Sequence, residues 1–93
     1  MARDRSLWLR WETEAAERGC VEAQIALSIA YHNGERGVTA NRVVSIEWAR
    51  RAALQGHVPS TFNMGVAFQE GKGVGVNFAT AADWYRKAVL LAT

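Results

Sequence analysis

Apolar positions recur along this chain with helical spacing. Ala23, Leu27, Ala30 and Tyr31 fall at i, i+4, i+7 and i+8, and Ser60, Met64, Ala67 and Phe68 repeat that spacing. A second pattern places Ser45, Trp48 and Ala52 at i, i+3 and i+7, matched by Ala81, Trp84 and Ala88. Each set occupies one face of a helix. Gly34 and Gly71 stand where a helix closes on a left-handed residue. Asp4, Asn41 and Asn77 stand where a side-chain oxygen can cap the helix that follows. The single proline, Pro59, lies near a helix start, where its missing N–H costs little. The pattern predicts five helices, over about 5–18, 21–33, 42–55, 58–70 and 78–91.

The two patterns alternate with a fixed period. Trp11, Trp48 and Trp84 are 37 and 36 positions apart. Ala15, Ala52 and Ala88 keep the same register. AQIALSIAYHNG at 23–34 aligns with STFNMGVAFQEG at 60–71, and GERGV at 34–38 is one residue longer than GKGV at 71–74. A repeat of this length is one supersecondary unit of a stacked array. With the first kind of helix named A and the tryptophan-bearing kind B, the order is B, A–B, A–B. The expected division is one domain over 1–93, with a B-helix half repeat at 4–19 and full repeats at 20–56 and 57–92.

At these residues the chain resembles the Sel-one-like repeats, relatives of the tetratricopeptide repeats. The first full copy carries Ala23, Leu27, Tyr31, Gly34, Gly37, Val38, Asn41, Trp48, Ala52, Ala53 and the Gly56-His57 junction. The second carries Ser60, Met64, Gly65, Phe68, Gly71, Gly73, Val74, Asn77, Trp84, Tyr85, Lys87 and Ala88. Departures from the family pattern are Ser28 for Gly, Ala49 for Tyr and Asn for Asp at both later caps. Each is expected to loosen packing slightly without altering the fold. The resemblance implies an all-α protein: a right-handed α/α superhelix, or solenoid, of about two and a half helix-pair repeats. It also implies a module that binds other proteins and supplies no chemistry.

Composition narrows the alternatives. The chain has 93 residues, is 49% apolar and carries a formal net charge of +2. That charge is too weak to imply nucleic acid or an anionic membrane. One cysteine, Cys20, cannot form an internal disulfide, which fits a reducing, cytoplasmic setting. The N-terminal stretch does not read as a signal peptide, and no apolar run approaches the roughly 18 residues of a membrane span.

Candidate chemistry is sparse. GKGVG at 71–75 lacks the strand and the GK[ST] ending of a phosphate loop, and reads as an inter-helix turn. His32, His57 and Cys20 are too few and too scattered for a zinc site, although Cys20 and His57 share a repeat position. Nothing local activates Cys20 as a nucleophile. Arg50, Arg51, Arg86 and Lys87 recur on successive B-helices, but Glu47 and Asp83 interleave with them, so a solvated face is favoured over a nucleic-acid surface. Trp11, Trp48 and Trp84 share one core position and are expected to be buried, Trp48 most of all. Trp8 stands where later repeats carry Ser45 and Ala81, and should fill space left by an absent A-helix.

The expected function is therefore a protein-interaction module or adaptor, with no enzymatic activity, cofactor or metal. By the resemblance, the partner protein or peptide would meet the concave A-helix face at Glu22, Ile25, Ile29, His32 and Asn33, and at Phe62, Val66, Gln69 and Glu70. Val89, Leu90 and Leu91 would pack beneath a further A-helix, which makes them candidates for homodimer formation. An inhibitor or immunity-type protein that blocks an enzyme is the alternative. Nucleic acid and membrane are not expected partners.

Overall fold

A computed structural model describes residues 2–93, with side chains from residue 7 onward. It holds five helices: α1 (Ala2–Glu17), α2 (Val21–Asn33), α3 (Arg42–Leu54), α4 (Val58–Glu70) and α5 (Phe78–Ala92). Four of the five match the expected spans to within a residue. The exception is α1, which begins at Ala2, so Asp4 lies within the helix; its expected capping side chain lies outside the described ones. Each helix packs chiefly on its neighbours in the chain, which builds an elongated body of 43 × 25 × 16 Å.

The repeated turns are alike because their end residues are alike. Gly34 and Gly71 close α2 and α4 at φ 71° and 72°, a left-handed conformation that glycine adopts at no steric cost. Seven residues after Gly34 and six after Gly71, the Asn41 and Asn77 side chains accept from the amides of Val44 and Thr80, at 3.2 and 3.0 Å. The backbone amides of the same asparagines donate to Tyr31 and Phe68 carbonyls, both at 2.8 Å. Each A-helix is thereby tied to the start of its own B-helix. GKGVG forms such a turn, tucked so closely on α3 that a Cβ at Gly73 would lie 2.6 Å from the Arg42 carbonyl oxygen.

The extra residue in the first turn has a structural use. Arg36 takes a positive φ of 56°, and its guanidinium lies 4.8 Å from the centre of the Trp8 ring. Trp8 is half-buried and packs on the first core cluster.

The core runs in one direction. Trp48 clusters with Leu27 and Ala23 of its own repeat and with Ala16 of the preceding B-helix. Trp84 packs in the same way on Met64 and on Ala53. Trp48 and Trp84 thus each share a core cluster with an alanine of the previous B-helix. This rule sets the burial of the equivalent residues. Trp48 is 8% exposed, whereas Trp11, expected in the core, is 65% exposed, because no described helix lies behind it. Val89, the counterpart of Ala16 and Ala53, is exposed at the other end, with no tryptophan over it.

Two predictions follow from this packing. Trp48→Ala should cost about 3–5 kcal/mol in urea unfolding, while Trp11→Ala should cost about 1 kcal/mol or less. Ala53→Leu should cost about 1–3 kcal/mol by overpacking the Trp84 seat, although the substitution is apolar and helix-compatible.

Candidate functional site: a groove between successive A-helices

The residues expected to meet a partner divide into two groups. Ile29, His32 and Asn33 on α2 and Val66 on α4 line one open groove of about 290 Å³. From α3, Ser45, Ile46, Ala49 and the exposed Arg42 line it as well. Asn63 and Ala67 complete the α4 wall, and Lys72 of the following turn stands at the edge. Glu22 and Ile25 do not line this groove. Neither do Phe62, Gln69 and Glu70.

Phe62 and Gln69 turn toward α5. The Phe62 and Tyr85 rings meet at 5.2 Å between centroids with a 53° tilt, and the Tyr85 hydroxyl donates to Gln69 Oε1 at 2.7 Å. Beneath that ring lies Gly65. A Cβ there would sit 2.6 Å from Tyr85 Cε1, so glycine is what admits the tyrosine. Val89, Leu90 and Leu91 are all exposed on α5, Leu91 the least, coming 4.0 Å from the Cβ position of Gly56.

The departures at Ser28 and Ala49 therefore form a pair. They are the counterparts of Gly65 and Tyr85. Where the second repeat has a ring over a glycine, the first has a methyl opposite a serine. Their combined effect is an unfilled space between α2 and α4, part of the groove just described. The serine hydroxyls beneath it are engaged: Ser45 Oγ donates to the Ser28 carbonyl at 2.7 Å and lies 3.4 Å from Ser28 Oγ. The groove therefore presents apolar walls from Ile29, Ile46, Ala49 and Val66. Its other polar lining groups are His32, Asn33, Asn63, Arg42 and Lys72.

Its electrostatics are one-sided. Arg42 and Lys72 are its charged lining groups, and no carboxylate lines it among the described residues. Lys72 pairs with Glu70 at 2.9 Å, while Arg42 has no ion pair among the described side chains.

The recurring basic residues of the B-helices have a different role. Arg51 covers the Trp48 ring at 4.7 Å and Lys87 covers Trp84 at 5.3 Å, so a cation three residues after each tryptophan lies over its face. Arg50 pairs with Glu47 and Arg86 with Asp83, both at 2.6 Å, and Arg51 reaches Glu17 of α1 at 3.2 Å. This is a paired outer surface.

His57 and Cys20 stand at equivalent helix N-caps. His57 caps α4, its Nδ1 accepting from the Ser60 amide at 3.2 Å. Cys20 occupies the equivalent cap of α2 without a cap hydrogen bond, and its thiol faces Glu22 at 3.5 Å. Among the described residues, no three His, Cys, Asp or Glu side chains group as metal ligands, and no helix is long and apolar enough to cross a membrane. One polar connection had no sequence signal. Gln24 donates to the Ala16 carbonyl, and Gln55 donates both to Gln24 and to the Gly19 carbonyl, at 2.9–3.0 Å, which links one helix-pair junction to the next.

Antiparallel helix pairs in register, stacked edge to edge and leaving a groove between A-helices, define an α/α solenoid repeat protein. A family model described as Sel1 repeat matches residues 21–57 and 58–92, and the chain belongs to the Sel1 repeat family. A Sel1 repeat protein from Oxalobacter formigenes superposes with a TM-score of 0.84 at 33% identity, over 91% of this chain and 63% of that one. The protective antigen c5321 of uropathogenic Escherichia coli, which displays an SLR fold, gives 0.81 at 34% identity, over 91% of this chain and 18% of that one. Among curated proteins, chitin synthase regulatory factor 3 of Schizosaccharomyces pombe is 33% identical over 84% of this chain. Chitin synthase regulator SKT5 of Saccharomyces cerevisiae is 33% identical over 95% of it. The chain spans only 8% and 13% of the length of those two relatives.

The Gly65–Tyr85 contact gives a third prediction. Gly65→Ala alone should destabilise by about 1–3 kcal/mol, and most of that loss should vanish when Tyr85→Ala is added, as read by a double-mutant cycle of chemical denaturation.

Proposed function

We propose that this chain is a non-catalytic protein-binding module that engages a partner through the groove between α2 and α4. The observation that carries the reading is the groove itself. It combines apolar walls with a cation, Arg42, that has no ion pair among the described side chains, and with the amide and imidazole groups of Asn33, Asn63 and His32. Ile29 stands 50% exposed at its edge, where an apolar side chain gains from being covered.

The relatives support the same reading at a coarser level. Two are named as regulators of chitin synthase, a role that acts on another protein. An adaptor within a larger assembly in the cytoplasm fits both this and the free thiol of Cys20. The exposed Val89 and Leu90 on the outer face of α5 form a second surface, suited to a further helix of the array or to another copy of the chain.

Affinity capture from the source cell, followed by mass spectrometry, tests the main reading. The parent chain should retain a specific protein that Ile29→Glu loses, with the variant's melting temperature unchanged within a few degrees, as for a surface substitution. Equal recovery by both proteins would move binding elsewhere. If α5 instead mediates self-association, light scattering should show a dimer that Leu90→Glu converts to monomer.

A further inference from the structure

We propose that the groove between α2 and α4 seats a tyrosine side chain from an acidic segment of the partner, in space that the second repeat fills with its own Tyr85. The inference deepens the protein-binding reading and rests on it.

The molecule supplies the template for the occupant. Position 49 in the first repeat is position 85 in the second, 28 is 65, and 32 is 69. At the second set, a phenol ring lies over a glycine and its hydroxyl donates to Gln69 Oε1 at 2.7 Å. At the first set, Ala49 withdraws the ring. The space opens into the groove of about 290 Å³, at the lower end of the roughly 300–1,000 Å³ of ordinary ligand pockets. That size suits a single large side chain. Ile29, Ile46 and Val66 offer it apolar contact. His32, the counterpart of Gln69, is placed to meet the hydroxyl. A flat, half-polar ring anchored in an apolar slot is the arrangement in which aromatic side chains contribute most to an interface.

Ser28 sets how deep the ring can go. Its Cβ blocks the depth that Tyr85 reaches over Gly65. A ring tethered to α3 could not avoid that atom, whereas one arriving from outside can rest higher in the slot. The charge at the mouth specifies the flanks. Arg42 has no ion pair among the described side chains, Lys72 shares its charge with Glu70, and no carboxylate lines the slot among the described residues. Acidic residues beside the tyrosine would meet these cations.

The test is a titration of the isotopically labelled chain, followed by NMR, with a blocked pentapeptide holding one tyrosine between two pairs of aspartates. A second peptide has alanine at the centre. The amides of Ile29, Ala49 and Val66 should shift saturably with the first peptide, and affinity for the second should be about tenfold lower. Ser28→Gly combined with Ala49→Tyr rebuilds the second repeat's pair in the first. That variant should melt no lower than the parent and bind the tyrosine peptide at least about tenfold more weakly. Arg42→Ala, at an exposed position, should weaken binding and flatten its salt dependence. Equal affinity for both peptides, no saturable shift, or undiminished binding by the double variant would overturn the proposal. Capture of the cellular partner separates this outcome from failure of the broader reading. A partner held equally by the parent and the double variant leaves a protein-binding module whose groove does not take a tyrosine. Peptide binding without any cellular partner leaves the slot but removes the adaptor.

Discussion

A tryptophan on one B-helix requires a methyl-sized residue on the B-helix before it. Trp48 clusters with Ala16 and Leu27, and Trp84 with Ala53 and Met64, in keeping with that requirement. This contact joins repeats that are distant in sequence, and it leaves little tolerance in spacing. A larger residue at the alanine would push the helices apart, and a smaller one at the tryptophan would leave a cavity. Helix spacing, and with it the width of the groove, follows from this seat. The cations at Arg51 and Lys87 add cover on the solvent side, where the indole would otherwise be wet.

The backward direction of the packing gives the solenoid a polarity. One end presents an aromatic surface at Trp11, and the other an aliphatic one at Val89 and Leu90. The two ends are therefore not equivalent, and a surface that complements one does not complement the other. Between them, the turns act as rigid spacers. Their asparagine caps and left-handed glycines fix each A-helix to its B-helix with the same hydrogen bonds in both copies.

Much of this was legible in the sequence, for physical reasons. Period, caps and closing glycines are local, and they placed four helices to within a residue. The burial of Trp48 was also readable, because its repeat is complete. Trp11 was misjudged because repeat equivalence carries over conformation but not neighbours, and its burial depends on a helix that no described residue supplies. The first helix begins two residues before Asp4, where no cap signal was read. Of the residues expected on the A-helix face, Ile29, His32, Asn33 and Val66 line the groove. Phe62 and Gln69 were expected on that face too, yet Tyr85 claims them, a contact between helices that no single-helix pattern contains. Ser28 and Ala49 were visible as two separate departures from the family. Only their meeting across the α2–α3 interface shows that they act together.

That pairing has a consequence for longer arrays of such units. Because the ring and the residue beneath it lie on different helices of one repeat, a space between A-helices would be shut with Tyr over Gly and is open here with Ala opposite Ser, while the tryptophan clusters and turns stay the same. Each repeat then behaves as a switch position with two settings. A string of repeats becomes a row of open and shut slots at a fixed pitch, and the order of the settings, more than the shape of the superhelix, would spell out which extended chain fits along it.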